Sequence, residues 1–248
     1  MITLKKLKNY YNWGGRFLTD SYHLDARELN EKEMAKRPYR YDVINFLISS
    51  LKRETTYLEI GVRNPANNFN KINASTKFSV DPGLEFKENP VDFVLTSDQF
   101  FEQLRSGKVL KNDIKFDVIF IDGLHTAEQV DRDIKNALEF IKEDGFIVLH
   151  DCNPPTESHA REEHKYEISP AMQNWNGTTW KGFVKWRQNP AVFSCTIDTD
   201  WGVGIISKTK NVGSYTKEVN EYFEYSVFSK NRKEFLNLIN FEDFKSFF

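Results

Sequence analysis

Two short apolar runs in this chain each stop abruptly in polar residues. Phe116-Asp117-Val118-Ile119-Phe120-Ile121 runs into Asp122, Gly123 and His125. Gly145-Phe146-Ile147-Val148-Leu149 runs into His150, Asp151 and Cys152. Between them Val130, Ile134, Ala137, Leu138 and Ile141 recur at helical spacing. Thr126 and Gln129 have capping-box spacing at the start of that helix, and Gly145 suits a left-handed cap at its end. The unit reads strand, helix, strand. If the strands are parallel, both polar ends fall on one sheet edge, where open α/β sheets take their ligands.

The same reading extends in both directions. Val43, Ile44, Leu47, Ile48 and Leu51 mark a helix over 41–52. Residues 55–62 read as a buried strand ending in a tight turn at Gly61, and residues 77–83 as a second strand ending at Asp81. Residues 91–98 look like a third strand passing into a helix with Phe100, Phe101 and Leu104 on its apolar face. Ser97 or Asp98 suits that helix's N-cap. Residues 180–187 suggest a short helix. Residues 192–197 and 202–206 are joined by the short link Asp198-Thr199-Asp200-Trp201, which predicts an antiparallel hairpin. Residues 211–248, with Val219, Tyr222, Phe223, Phe228, Phe235, Leu236, Leu238, Ile239 and Phe241, read as a helical extension. Strands alternating with helices predict an α/β fold: a doubly wound, mostly parallel seven-stranded sheet closed by the hairpin. The expected organisation is an irregular N-terminal arm with a short helix over 1–40, a domain over 41–210 and the extension over 211–248. The arm packs on the domain or a partner subunit, or caps a pocket; packing on a partner subunit would make the protein a homo-oligomer. Residues 153–179 carry weak periodicity and many turn formers, as expected of a lid or substrate loop.

Composition narrows the function classes. With 248 residues, a net charge of −2 and 28% charged residues, nothing points to nucleic acid or an anionic membrane. No apolar run has the length of a membrane span, and residues 1–9 do not read as a secretory signal. Two cysteines, Cys152 and Cys195, suit a reducing cytoplasm.

Candidate chemistry sits at the strand ends. Glu59, an acid inside a short apolar strand, needs partners for its carboxylate. Gly61 lets a ligand approach the backbone. The G-x-G-x-x-G fingerprint is absent, which argues against a nicotinamide or flavin site and against an oxidoreductase or epimerase. Asp81, at the end of the next strand, is placed to accept hydrogen bonds from ribose hydroxyls; before Pro82-Gly83 it also reads as a turn former. Ser97 and Asp98 cap a helix, contact a nucleobase, or both. His159 and His164 with Glu157, Glu162 and Glu163 match no standard metal spacing and read as a solvated loop. Trp175, Trp180, Trp201 and the aromatic arm could stack on a sugar or pack in the core.

Taken together, Glu59-Ile-Gly61, Asp81, Ile121-Asp122-Gly-Leu-His125 and Val148-Leu-His150-Asp151 resemble class I S-adenosylmethionine-dependent methyltransferases. They are similar in particular to a small bacterial group with an IDGxH and HD signature linked to sugar or glycan biosynthesis. The resemblance covers roughly residues 41–207. It implies S-adenosylmethionine as cofactor and methyl transfer to a hydroxyl of a sugar or glycan precursor. By position, Glu59 and Gly61 would line the methionine side and backbone of the cofactor, Asp81 would hold the ribose, Ser97 and Asp98 would lie near the adenine, and Asp122 would also bind the cofactor. His125 or His150 would be the base, oriented by Asp151 or Asp122. The same positions are similar to metal-dependent O-methyltransferases, which would make Asp122 and Asp151 ligands of a divalent ion; Cys152 stands where that family has an asparagine ligand. The glycine-rich turn of these families continues here as Val62-Arg63-Asn64-Pro65, which admits the alternative of a catalytically silent nucleotide-binding or assembly domain with the same fold.

Overall fold

The computed structural model describes residues 2–85, 88, 90–164, 169–218 and 220–248. Val219 and residues 165–168 of the expected loop lie outside them. In chain order the elements are α1 (Leu4–Thr19), α2 (Ser21–Ala35), α3 (Arg40–Ser50), β1 (Thr56–Ile60), β2 (Thr76–Val80), α4 (Ser97–Arg105), β3 (Phe116–Ile121), α5 (Ala127–Phe140), β4 (Ile141–Leu149), α6 (Thr179–Arg187), β5 (Phe193–Ile197), β6 (Val203–Ser207), α7 (Tyr225–Lys230), α8 (Arg232–Leu236), β7 (Leu238–Ile239) and α9 (Phe241–Lys245).

Seven strands form one sheet in the order β2-β1-β3-β4-β6-β5-β7. β2, β1, β3 and β4 are parallel, and β5–β6 is the expected antiparallel hairpin, with β6 antiparallel to β4. Alternation along each strand serves two cores. Leu58, Ile60, Ile119, Ile121, Ile147 and Leu149 face Phe100, Ile134 and Phe183 of α4, α5 and α6. Tyr57, Val118, Phe120, Phe146 and Val148 face α3 and Phe244 of α9. The chain leaves β1 toward β2 on one side while β3 pairs on the other. The order in which strands are added therefore reverses at β1, and a crevice opens outside the strand ends there.

Several expectations need correction. Val91–Leu95 is not a strand. Phe93 makes a single parallel bridge to Val80, while the Asp92 carboxylate accepts from the Ser79 amide (2.9 Å) and hydroxyl (2.7 Å). A side chain thus occupies part of the β2 edge that a third strand would cover. The seventh strand is instead β7, inside the region expected to be helical, where it pairs parallel with β5. Gly145 does not cap α5: the helix ends at Phe140 and passes directly into β4. Gly145 is needed in the strand, where a Cβ would stand 2.7 Å from the Asp117 carbonyl oxygen. Thr126 is the N-cap of α5 but its side chain makes no capping bond; the Thr178 hydroxyl accepts from the Ala127 amide at 2.7 Å instead. At α4 the capping box is Thr96 with Gln99, not Ser97 or Asp98. Residues 1–40, expected to be an irregular arm with a short helix, hold two long helices. No helix among the described residues is long and apolar enough to cross a membrane.

Candidate active site

The loops after β1, β2, β3 and β4 meet around a cavity of about 620 Å³. Glu59, Gly61, Asp81, Ser97, Asp122, His125, His150 and Asp151 all line it. Asp98 does not: it is half-exposed and pairs with Arg132 at 3.3 Å.

One side of the cavity is built from β1 and β2. Glu59 is buried, and its Oε2 accepts from the Tyr57 hydroxyl (2.6 Å) and the Asn68 amide (2.8 Å). Burial raises its pKa to about 7 against those two bonds, with Asp122 nearby adding to the rise. Asn68 Oδ1 is buried with no hydrogen-bond partner among the described residues. Gly61 has φ +90, and a Cβ there would stand 2.2 Å from the Asp122 carbonyl oxygen. Its glycine is therefore needed for the close passage of two loops, beyond any ligand approach. Asp81 accepts from the Gly83 amide at 2.7 Å, so the turn-forming geometry is present at the cavity edge. Ser97 accepts from the Gln129 carboxamide at 3.0 Å.

The other side is a network of charged groups. Asp122 Oδ1 lies 3.2 Å from His125 Nε2 and 3.3 Å from His150 Nδ1. Asp151 Oδ2 lies 3.0 Å from His150 Nδ1 and 3.3 Å from His125 Nδ1. Burial pushes the His125 pKa down, but Asp151 and Asp122 outweigh it and hold it up at about 9. Burial likewise opposes protonation of His150, yet Asp151, Asp122 and Asp200 outweigh it and Arg40, and its pKa stands well above the imidazole range. Asp122 is shifted the other way: burial opposes its charge, but His150, His125 and Arg40 hold it far below the carboxylate range.

Four members of this network carry no motif signal. Arg40, at the start of α3, lies 3.1 Å from Asp200, 3.3 Å from His150 and 3.8 Å from Asp122. Asp200 comes from the β5–β6 turn, 3.4 Å from His150 Nε2. Trp175 stacks on the His125 ring at 5.1 Å and offers its carbonyl to His125 Nδ1 at 3.1 Å. Asn176 donates to Asp151 Oδ1 at 2.6 Å, while its own Oδ1 is buried with no hydrogen-bond partner among the described residues. Gly177 makes this docking possible: at φ +61, a Cβ would stand 2.1 Å from the His125 carbonyl oxygen. Asp151, Asp200 and Trp201 are all left-handed, a costly backbone choice for such residues. Bonds from the Cys152 amide to Gly202 and from the Asn153 amide to Trp201 tie the two segments together.

Asp122, His125 and Asp151 each offer a ligand atom within 4.8 Å of one another, and they fit a metal ion by donor type. Cys152 is not part of this set; it is buried in the core beside Phe183 and Gly204. The carboxamide near Asp151 is Asn176. His159, expected in a solvated loop, is fully buried beside Trp201 with its pKa lowered to about 4 by burial and Arg161. His164 lines the cavity beside Trp175.

No curated protein matches the chain. Among solved structures it is similar to an O-methyltransferase of Bacillus cereus in complex with SAH (13% identity, 76% of this chain and 90% of that one, TM-score 0.41). It is also similar to an SAH-bound methyltransferase of Podospora anserina (11%, 84% and 98%, 0.45) and to an O-methyltransferase of Streptomyces achromogenes in complex with SAM (11%, 77% and 90%, 0.44). Residues 49–152, which carry β1 to β4 and most of the cavity wall, match the family model described as a methyltransferase domain, and this match supports a methyltransferase.

Proposed function

We propose that the protein transfers the methyl group of S-adenosylmethionine to a hydroxyl of a sugar or glycan precursor. One observation carries this reading: in the segment that matches a methyltransferase domain, a single cavity joins Glu59, Gly61, Asp81 and Ser97 to the Asp122–His125–His150–Asp151 network. Asp81 would take the ribose hydroxyls, Ser97 the adenine edge, and Glu59 and Asp122 the cationic methionine portion. The unpartnered Asn68 Oδ1 fits a polar ligand on that side. Trp175, Trp201, Gln173 and Asn174 line the other end and offer the aromatic and amide surface a sugar needs.

S-adenosylmethionine supplies a methyl group already activated by its sulfonium. The chain must align the acceptor oxygen and take its proton; alignment alone contributes roughly 7–11 kcal/mol in the best intramolecular models. A carbonyl can only accept, so the Trp175 oxygen fixes a proton on His125 Nδ1 and leaves Nε2 as the basic nitrogen. In the protonated ring Nε2 donates to Asp122 at 3.2 Å, so Asp122 holds the imidazolium in place and stabilises it once the proton has been taken. A cationic ligand beside the network favours loss of the Nε2 proton, which is the state a base needs. His150, buried among three carboxylates, holds Asp122 and Asp151 in place.

A divalent ion fits the same groups. Asp122, Asp151 and Asp200 against Arg40 leave a formal charge of −2, which two imidazolium protons or one divalent ion would balance. Held by Asp122, Asp151 and His125, such an ion would polarise the acceptor oxygen.

The test is transfer of labelled methyl from S-adenosylmethionine to a panel of sugar acceptors, with chelator and with magnesium. The reading expects transfer that falls by roughly 10²–10⁴ in His125→Ala and less in His150→Ala. Unchanged turnover in both variants would sink the base assignment. A chain that neither binds nor turns over S-adenosylmethionine would be a silent domain of the same fold.

A further inference from the structure

The first helix carries a surface that the methyltransferase reading does not use. No residue of α1 is buried. At 100° per residue its side chains divide cleanly. Leu4, Leu7, Tyr10, Tyr11, Trp13, Phe17 and Leu18 fall on one half of the helix. Lys5, Lys8, Asn9, Asn12, Arg16 and Thr19 fall on the other, with Lys6 at the edge between Trp13 and Phe17. Leu4 is 87% exposed, Tyr11 84%, Leu18 68% and Trp13 63%. Phe17, at one end of the face, packs edge-on against His23 of α2 at 4.5 Å. A contiguous apolar face of this kind marks an interaction site.

The charge on the opposite half identifies the partner. Residues 2–19 hold Lys5, Lys6, Lys8 and Arg16 and no acidic residue, in a chain whose net charge is −2. These four cations, with no acid among them, lie on a helix none of whose residues is buried. Two α1 helices packed on each other by this face would leave Lys5, Lys8 and Arg16 of each pointing away with no counter-charge on α1, so a second copy would use the apolar half and leave the basic half without a partner. The helix is too short and too charged to span a bilayer. A basic half, an apolar half and aromatic residues at the boundary are what a helix lying in a lipid interface requires. Alone in water, a 16-residue helix with Gly14-Gly15 in its second half is marginal, so a covering surface would also stabilise its fold.

We propose that α1 docks the protein on an anionic lipid surface, with Leu4, Leu7, Tyr11 and Leu18 in the acyl boundary and the lysines against the headgroups. Tyr10 would lie beside Leu7 near the middle of that face, and Trp13 at its boundary with the basic half.

The test is co-sedimentation of the full chain with vesicles of phosphatidylcholine alone and of phosphatidylcholine mixed with phosphatidylglycerol. The expected result is partition onto the mixed vesicles, weak partition onto the neutral ones, and release at high salt. Replacing Lys5, Lys6 and Lys8 together by Glu should lower partition by at least about a hundredfold, from roughly fivefold per lysine near an anionic surface. Leu7→Asp should lower it at unchanged charge on the lysines. Neither change touches a buried residue, so urea unfolding of the domain should be unaltered. A tryptophan blue shift on the mixed vesicles that disappears in Trp13→Phe would place the helix in the interface. Failure to bind either vesicle, or equal binding to both, overturns the proposal. So does a dimer in solution that Leu7→Asp dissociates while vesicle binding is absent; that outcome assigns the face to a second copy of the chain.

Discussion

Replacing His125 by Asn removes a charge that Asp122 and Asp151 hold in place, and its effect must depend on pH in a defined direction. The folded pKa is about 9 against a reference of 6.5. His125 is largely buried, its side chain 18% exposed. A tenfold change in proton affinity is worth about 1.4 kcal/mol, so the protonated ring contributes roughly 3 kcal/mol to stability. The pKa is raised on folding. The contribution is therefore complete below about pH 6.5, declines as pH rises, and is lost above about pH 9. The assay is urea unfolding of wild type and His125→Asn across this range, with chelator so that no ion replaces the proton. The stability gap should be largest near pH 6 and shrink by about 3 kcal/mol toward pH 9.5. The loss of packing and hydrogen bonds is the part that remains. A gap that stays flat, or widens at high pH, would refute the electrostatic account of the network.

Three further changes test neighbouring parts of the structure. Glu59→Gln should gain on wild type as pH rises from about 4.5 through 7, by roughly 3 kcal/mol in urea unfolding, because a carboxylate raised by burial destabilises the fold once ionised; the same variant should bind S-adenosylmethionine more weakly in a calorimetric titration. Gly61→Ala should lower stability by at least about 2 kcal/mol and weaken nucleoside binding, since its φ is +90 and the added Cβ meets the Asp122 carbonyl oxygen; an unchanged melting temperature would argue against that close passage. Asp117→Asn should cost about 3–5 kcal/mol in urea unfolding, because the buried carboxylate holds Arg53, Lys142 and the Thr56 amide together.

Residues whose place is set by their neighbours along the chain are legible in the sequence itself. The apolar runs of β1, β3 and β4 are continuous because helices cover both faces, so the strands and the polar residues at their ends can be read directly. The expected third strand fails because Val91 to Leu95 has strand composition, while the Asp92 side chain and one bridge from Phe93 are what meet β2. β7 is hidden because two residues carry no periodicity. Gly145 fits a helix cap by position, but crowding by the Asp117 carbonyl gives it a strand role. Half of the charged network is invisible for a different reason. Arg40, Asp200, Trp175 and Asn176 come from a helix start, a hairpin turn and a long loop, and only tertiary packing brings them to Asp122 and Asp151. The left-handed φ of Asp151 and Asp200 has no signature in residue type. The apolar and basic halves of α1 are present in the sequence, but clustered aromatics in an arm read equally well as packing.

The central claim is that the cavity at the ends of β1 to β4 is a sulfur-nucleoside site. Isothermal titration of the full chain with S-adenosylhomocysteine tests it most directly, with NAD as the control and Asp81→Ala as the variant. The account predicts one saturable site for S-adenosylhomocysteine, no response to NAD, and binding weakened at least tenfold by loss of the Asp81 carboxylate, about 1.4 kcal/mol or more. Absence of heat with S-adenosylhomocysteine, or binding that Asp81→Ala leaves unchanged, would contradict it.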